Sequence, residues 1–237
     1  MTRMGEETME QQQLTVYLAG DSTVADYPPE SLPMLGWGAK LGEFLSGPVR
    51  VVNAATNGRS SKSFIDEGRL AAVLETMGAG DVFLIQFGHN DSKEDAERRT
   101  EPWSTYQEHL QQYIDGARSR GAVPVLVSSV CRRRFDDSGR LVDTHEDYPE
   151  AMRDLANRER VPYIDLCAKS GVLLRQLGSE KSVELFTWLA PGEHPNYPEG
   201  SSDNTHLNEH GAEVIARLVA EELAVLDMPL RDRIVLA

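Results

Sequence analysis

Short apolar runs alternate along this chain with longer stretches in which apolar residues recur every three or four positions. The runs at 14–19, 49–54, 82–87, 123–130 and 163–166 are four to eight residues long and rich in Val, Ile and Leu. Apolar runs that do not alternate with polar residues predict strands covered on both faces, as in a parallel sheet. The stretches 67–77, 106–118 and 209–226 carry the three- and four-residue spacing of helices that cover such a sheet. The predicted fold is therefore α/β and doubly wound. In such sheets ligands bind beyond the carboxyl ends of the strands, near the point where strand order reverses.

The remaining features narrow this picture. With 237 residues, 40% of them hydrophobic, the chain is long enough to bury roughly 70% of its extended surface. It shows no internal repeat and no linker, so one domain over 14–237 is expected, preceded by a polar tail at 1–13. That tail has no apolar run of the signal-peptide kind, and no stretch of about 18 apolar residues offers a membrane span. Two cysteines, Cys131 and Cys167, are far apart in sequence and too few for a disulfide framework or a zinc ribbon. A reduced, cytoplasmic setting is the expectation. The 24 basic and 38 acidic residues give a net charge of −14, which repels nucleic acid and anionic lipid.

Candidate chemistry sits where the strands end. The first run leads into Gly20-Asp21-Ser22-Thr23, the second into Asn53-Ala54-Ala55-Thr56-Asn57-Gly58-Arg59-Ser60-Ser61, and the third into Gly88-His89-Asn90-Asp91. Asp203-Asn204-Thr205-His206 precedes the last helical stretch. A hydroxyl nucleophile needs a base, a carboxylate to orient the base, and fixed donors for the oxyanion. Asp203 and His206 are three apart on an expected turn or first helical turn, so the carboxylate meets one ring nitrogen and leaves the other for Ser22.

In their order and spacing these motifs resemble the SGNH (GDSL-type) hydrolases, over nearly the whole chain. Within that superfamily, Asn57-Gly58-Arg59-Ser60-Ser61, Thr144-His145-Glu146-Asp147-Tyr148-Pro149 and the run Pro191-Gly192-Glu193-His194-Pro195-Asn196-Tyr197-Pro198 are similar to the rhamnogalacturonan acetylesterase branch. The resemblance implies a flavodoxin-like three-layer α/β/α sandwich with strand order 2-1-3-4-5. It makes Ser22 the nucleophile, His206 the base and Asp203 its orienting carboxylate. The oxyanion donors it implies are the Ser22 and Gly58 N–H groups and the Asn90 amide. The implied substrate is an acetylated, pectin-derived oligosaccharide, with no cofactor and no metal.

Each motif also has a plainer reading. Gly-Asp-Ser commonly ends a strand in a turn, Asp203 also reads as a helix cap, and Gly58 as a residue that simply supplies a positive φ. The four motifs occurring together in order favour the triad. Residues 57–63 lack the spacing of a phosphate-binding loop, and no Gly-x-Ser-x-Gly elbow is present. The competing readings are a broader esterase or lysophospholipase of the same superfamily and a non-catalytic flavodoxin-like module for a flavin or nucleotide. The polar segment 191–203 favours a sugar over an acyl chain. Arg132, Arg133 and Arg134 follow the fourth run. They are read either as a rim in which Arg132 and Arg133 pair with a uronic acid carboxylate, or as a solvated charge run paired with Asp136 and Asp137.

Overall fold

The computed structural model describes residues 13–236, so the expected tail at 1–13 lies, apart from Gln13, outside the described residues. The central sheet is parallel and five-stranded, in the order β2-β1-β3-β4-β5. Its strands are β1 (Leu14–Gly20), β2 (Val49–Asn53), β3 (Val82–Gln86), β4 (Val123–Val127) and β5 (Tyr163–Ile164). β4 stops three residues short of the expected run, since 128–130 already turn towards the site. β5 is only two residues long because Asp165 caps the next helix, its carboxylate accepting the Ala168 N–H.

Side-chain alternation along each strand divides the core in two. Val16 and Leu18 of β1, Val82 and Leu84 of β3, and Val125 and Val127 of β4 face one side. There they meet α5 (Leu166–Lys181), α6 (Glu209–Leu223) and the buried Trp37 and Leu41. Tyr17, Ala19, Phe83, Ile85 and Leu126 face the other side. That layer is made by α1 (Ser61–Asp66), α2 (Arg69–Thr76), α3 (Gln107–Ser119) and α4 (Tyr148–Glu159). This is the three-layer α/β/α arrangement, with β1 and β3 at its centre.

Two elements differ from the sequence reading. The helix expected at 67–77 forms as α2, and a short helix that the reading did not expect, α1, precedes it. α1 starts earlier, at a capping box in which Ser60 and Ser63 bond each other's backbone N–H, and Gly68 at φ 74° ends the turn before α2 begins. The segment before α6 is a strand. β6 (Phe186–Leu189) and β7 (Ser201–Leu207) form an antiparallel hairpin outside the main sheet. Its tip is tied down by Asn196, whose amide donates to Pro29 O and Leu32 O at 2.8 Å each, and by the Tyr197 hydroxyl, which donates to Ser31 O at 2.8 Å.

Candidate active site

Ser22 sits in the turn that follows β1, at the carboxyl edge of the sheet. Buried hydrogen bonds fix this turn from below. Asp21 Oδ1 accepts the Thr23 N–H at 2.9 Å and the Thr23 hydroxyl at 2.8 Å. Gln86, at the end of β3, donates to Thr23 Oγ1 at 2.7 Å and accepts the Trp37 indole N–H at 2.8 Å. The chain Trp37, Gln86, Thr23, Asp21 thus ties the turn to the neighbouring strand. Sequence reasoning missed Gln86, although a lone amide closing the otherwise apolar β3 was a visible signal.

His206 and Asp203 come from β7. Phe186 pairs with Leu207 and Trp188 with Ser202, so a step from 186 to 188 on β6 opposes a step from 202 to 207 on β7. The extra residues bulge out as a tight excursion, held by Asp203 Oδ1 accepting the N–H groups of Thr205 at 2.7 Å and His206 at 2.8 Å. Asp203 and His206 therefore share a turn inside a bulged strand rather than the first turn of a helix; α6 begins only at Glu209. Asp203 Oδ2 lies 2.7 Å from His206 Nδ1, and His206 Nε2 lies 3.0 Å from Ser22 Oγ. Burial pushes the pKa of Asp203 up, but the hydrogen bonds from the His206 ring and from the His206 and Thr205 N–H groups outweigh it and hold the carboxyl below its ordinary value. The carboxylate makes Nδ1 the protonated ring nitrogen and turns the Nε2 lone pair towards the serine.

The residues expected to hold the oxyanion lie on the two adjacent loops. Gly58 has φ 76° and open space where a Cβ would stand, so backbone conformation rather than crowding calls for glycine there. Asn90 is buried, and its side-chain amide gives one hydrogen bond to Arg59 O at 3.0 Å, which fixes its orientation and leaves a second N–H. The neighbouring Asp91 is fully buried and takes hydrogen bonds from the Ser61 N–H and hydroxyl and from the Thr100 hydroxyl, so it ties α1 to the loop after β3.

The arginines that follow β4 are engaged by groups of the protein itself. Arg132 gives its guanidinium to Thr144 O at 3.0 Å and His89 O at 3.1 Å. Arg133 is buried. It donates to Ser182 Oγ at 3.0 Å, to Asn204 Oδ1 at 2.7 Å and to Ser179 O, and its guanidinium stacks 4.9 Å from the centre of the Trp188 ring. Neither arginine pairs with Asp136 or Asp137. They cross-link loops, and Arg133 pins the very excursion that carries Asp203 and His206. An arginine run in sequence reads as solvated because nothing local reveals the carbonyls that a distant helix end will aim at it.

Next to the Ser22 turn lies a buried histidine pair that the sequence reading left without a role. His89 Nε2 is 2.8 Å from Val130 O and 2.9 Å from His145 Nε2, and His89 Nδ1 faces Asp21 Oδ2 at 3.6 Å. Burial works against the charge of Asp21, but the facing His89 and the Thr23 hydrogen bonds hold its carboxyl below the ordinary range. Burial, together with the fields of His89 and Arg132, pushes His145 down to about 2, so its ring is neutral.

With this geometry described, comparison with known proteins decides the family: residues 18–214 match the GDSL-like lipase/acylhydrolase family. The chain belongs to that family. It is 51% identical over 222 residues to rhamnogalacturonan acetylesterase RhgT of Bacillus subtilis, an alignment covering 94% of each chain. It is 30% identical to a rhamnogalacturonan acetylesterase of Emericella nidulans, covering 92% of this chain and 88% of the other. Among solved structures, Bacillus subtilis protein YxiM superposes with a TM-score of 0.76 at 28% identity, over 90% of this chain and 56% of that one. The acetyl-xylooligosaccharide esterase Axe2 of Geobacillus shares the fold, with a TM-score of 0.64 at 15% identity over 91% of this chain and 96% of Axe2. The sheet order seen here is the one the family resemblance implied.

Proposed function

We propose that this member of the GDSL-like family is a serine acetylesterase that removes O-acetyl groups from pectin-derived, rhamnogalacturonan-type oligosaccharides. The observation that carries the reading is the unbroken relay from Ser22 Oγ through His206 to Asp203, at 3.0 and 2.7 Å. The identity of 51% with RhgT supports the sugar ester as substrate. The His206 and Asp203 side chains are 29% and 26% exposed, which leaves the relay open to an ester on the surface of a sugar chain.

In this reading Ser22 Oγ attacks the acetyl carbonyl carbon as its proton passes to His206 Nε2. The negative charge that develops on the carbonyl oxygen is received by the N–H groups of Ser22 and Gly58 and by the Asn90 amide. The tetrahedral intermediate collapses, His206 returns the proton to the departing sugar hydroxyl, and the acetyl group stays on Ser22. Water then attacks the acyl-enzyme, gives its proton to His206, and releases acetate with Ser22 restored. No step requires a metal or cofactor.

The single domain over 14–237 and a cytoplasmic setting belong to the same proposal. No helix among the described residues is long and apolar enough to cross a membrane. A flavin- or nucleotide-binding module is not favoured, since such a module has no use for a base aligned on a serine.

The test is acetate release from acetylated rhamnogalacturonan oligosaccharides, from acetylated xylo-oligosaccharides and from long-chain acyl esters. The pectin-derived substrates are expected to give the highest kcat/KM, and Ser22→Ala to lower kcat by about 10⁴- to 10⁶-fold. Preference for long acyl chains, or a Ser22→Ala variant with a tenth of the parent rate, would overturn the proposal.

A further inference from the structure

Cys131 and Cys167, distant in sequence, are brought together by the fold. Cys131 lies on the loop after β4 and Cys167 in the first turn of α5, at the carboxyl ends of the adjacent strands β4 and β5. His145 completes the group: the two Sγ atoms and one ring nitrogen of His145 all lie within 4.8 Å of one another. Cys131 and His145 are buried, while Cys167 is partly open to a cavity of about 340 Å³ that both cysteines line.

We propose that Cys131, Cys167 and His145 bind a zinc ion at a site separate from the Ser22 centre. Two sulfurs and an imidazole are the donors that select zinc over magnesium or calcium, which take oxygen ligands. Zinc needs its sulfur ligands at about 2.3 Å and its nitrogen at about 2.0 to 2.1 Å. In a tetrahedron that places the donors roughly 3.5 Å apart, so side-chain rotations of about 1 Å close the group on the ion. A divalent cation cancels the charge of two thiolates, which otherwise repel each other where they are poorly solvated. The surroundings also favour a cation: Asp143, Glu146, Glu150 and Asp165 line the cavity against Arg153 and Arg175. The cavity leaves the fourth ligand position to water or to Asp143.

The ring nitrogens of His145 divide the work. Nε2 contacts His89 Nε2 at 2.9 Å, and His89 Nδ1 faces Asp21 Oδ2 at 3.6 Å; those last two atoms are buried without a hydrogen-bond partner. His89 Nε2 gives its proton to Val130 O at 2.8 Å, and its ring, 2.9 Å from His145 Nε2, holds the orientation of His145, as outer-shell partners commonly do for zinc-ligating histidines.

The experiment uses the full-length protein, stripped with chelator and kept reduced, titrated with Zn²⁺ against a chromogenic competitor. One ion per chain with Kd below about 1 μM is expected, with no response to Mg²⁺ or Ca²⁺. Cys131→Ser and Cys167→Ser, checked for folding by circular dichroism, should each weaken binding at least 100-fold, in line with loss of a ligand. In the unmutated protein Co²⁺ should give a thiolate-to-cobalt charge-transfer band together with the visible bands of a tetrahedral site. Absence of bound zinc in the reduced protein, cobalt spectra without a thiolate band, or undiminished binding in a folded cysteine variant would each overturn the proposal. The acetylesterase reading of Ser22 stands or falls separately, on acetate release.

Discussion

Replacing Asp203 with asparagine separates the two tasks of this carboxylate. One oxygen, Oδ1, holds the bulge by accepting the N–H groups of Thr205 and His206 at 2.7 and 2.8 Å, while Oδ2 alone meets His206 Nδ1 at 2.7 Å. Asparagine keeps an oxygen for the first task but presents an NH₂ group to the ring. Two donors cannot face each other, so the imidazole must take the tautomer with its proton on Nε2. That nitrogen then donates to Ser22 Oγ and cannot accept its proton. The same exchange in a serine-protease triad lowers kcat by about 10⁴-fold, and we expect a loss of that order, about 5 kcal/mol of transition-state stabilisation. Because the turn survives, stability should fall by no more than about 1 kcal/mol. Asp203→Ala should lose as much activity, but also about 2 kcal/mol of stability, because it strands two backbone N–H groups. Hydrolysis of a chromogenic acetyl ester gives kcat, and guanidinium unfolding gives stability. An asparagine variant that retains a tenth of the parent kcat, or that unfolds as readily as the alanine variant, would refute the division of labour.

Two further outcomes follow from buried charges. Arg133→Ala removes three side-chain hydrogen bonds and the stacking on Trp188, so it should destabilise the protein by about 3 kcal/mol and lower kcat equally on charged and neutral acetyl esters. A selective rise in KM for uronic acid substrates would restore the arginine rim. Burial raises Asp91 from 3.8 to about 7, against the opposing hydrogen bonds of Ser61 and Thr100. A group that binds its proton more tightly when folded lends stability that is complete below its unfolded value near 4 and is lost as pH rises through about 7. Between pH 5 and 8 the parent should therefore lose up to about 3 kcal/mol relative to Asp91→Asn in chemical unfolding, and a difference independent of pH would count against a raised Asp91.

The parallel sheet was legible because strands buried on both faces must be apolar throughout, and only a short continuous run satisfies that. Ser22, Asp203 and His206 were legible as a group because the chemistry demands those side chains at strand ends. The β6–β7 hairpin was not. Ser201–Leu207 is polar and owes its extended form to pairing with Phe186–Leu189, a partner no local pattern announces. The partners of Arg132 and Arg133 were hidden for the same reason, since Thr144, Ser179, Ser182 and Asn204 come from other segments. Helix α1 begins at the end of the motif Asn57-Gly58-Arg59-Ser60-Ser61, and its Ser60 and Ser63 cap reads equally well as a loop.

Ser22 meets its base across 184 positions of sequence. The hydroxyl lies in the turn after β1, and the imidazole in a hairpin that precedes α6. Under the proposed mechanism, a ribosome-bound chain therefore carries the Ser22 hydroxyl well before the imidazole that would activate it. Ester cleavage begins only when the hairpin has docked beside the finished sheet. Recovery of hydrolysis after dilution from denaturant is then expected to require docking of the hairpin as well as the return of helical signal from α1 to α4.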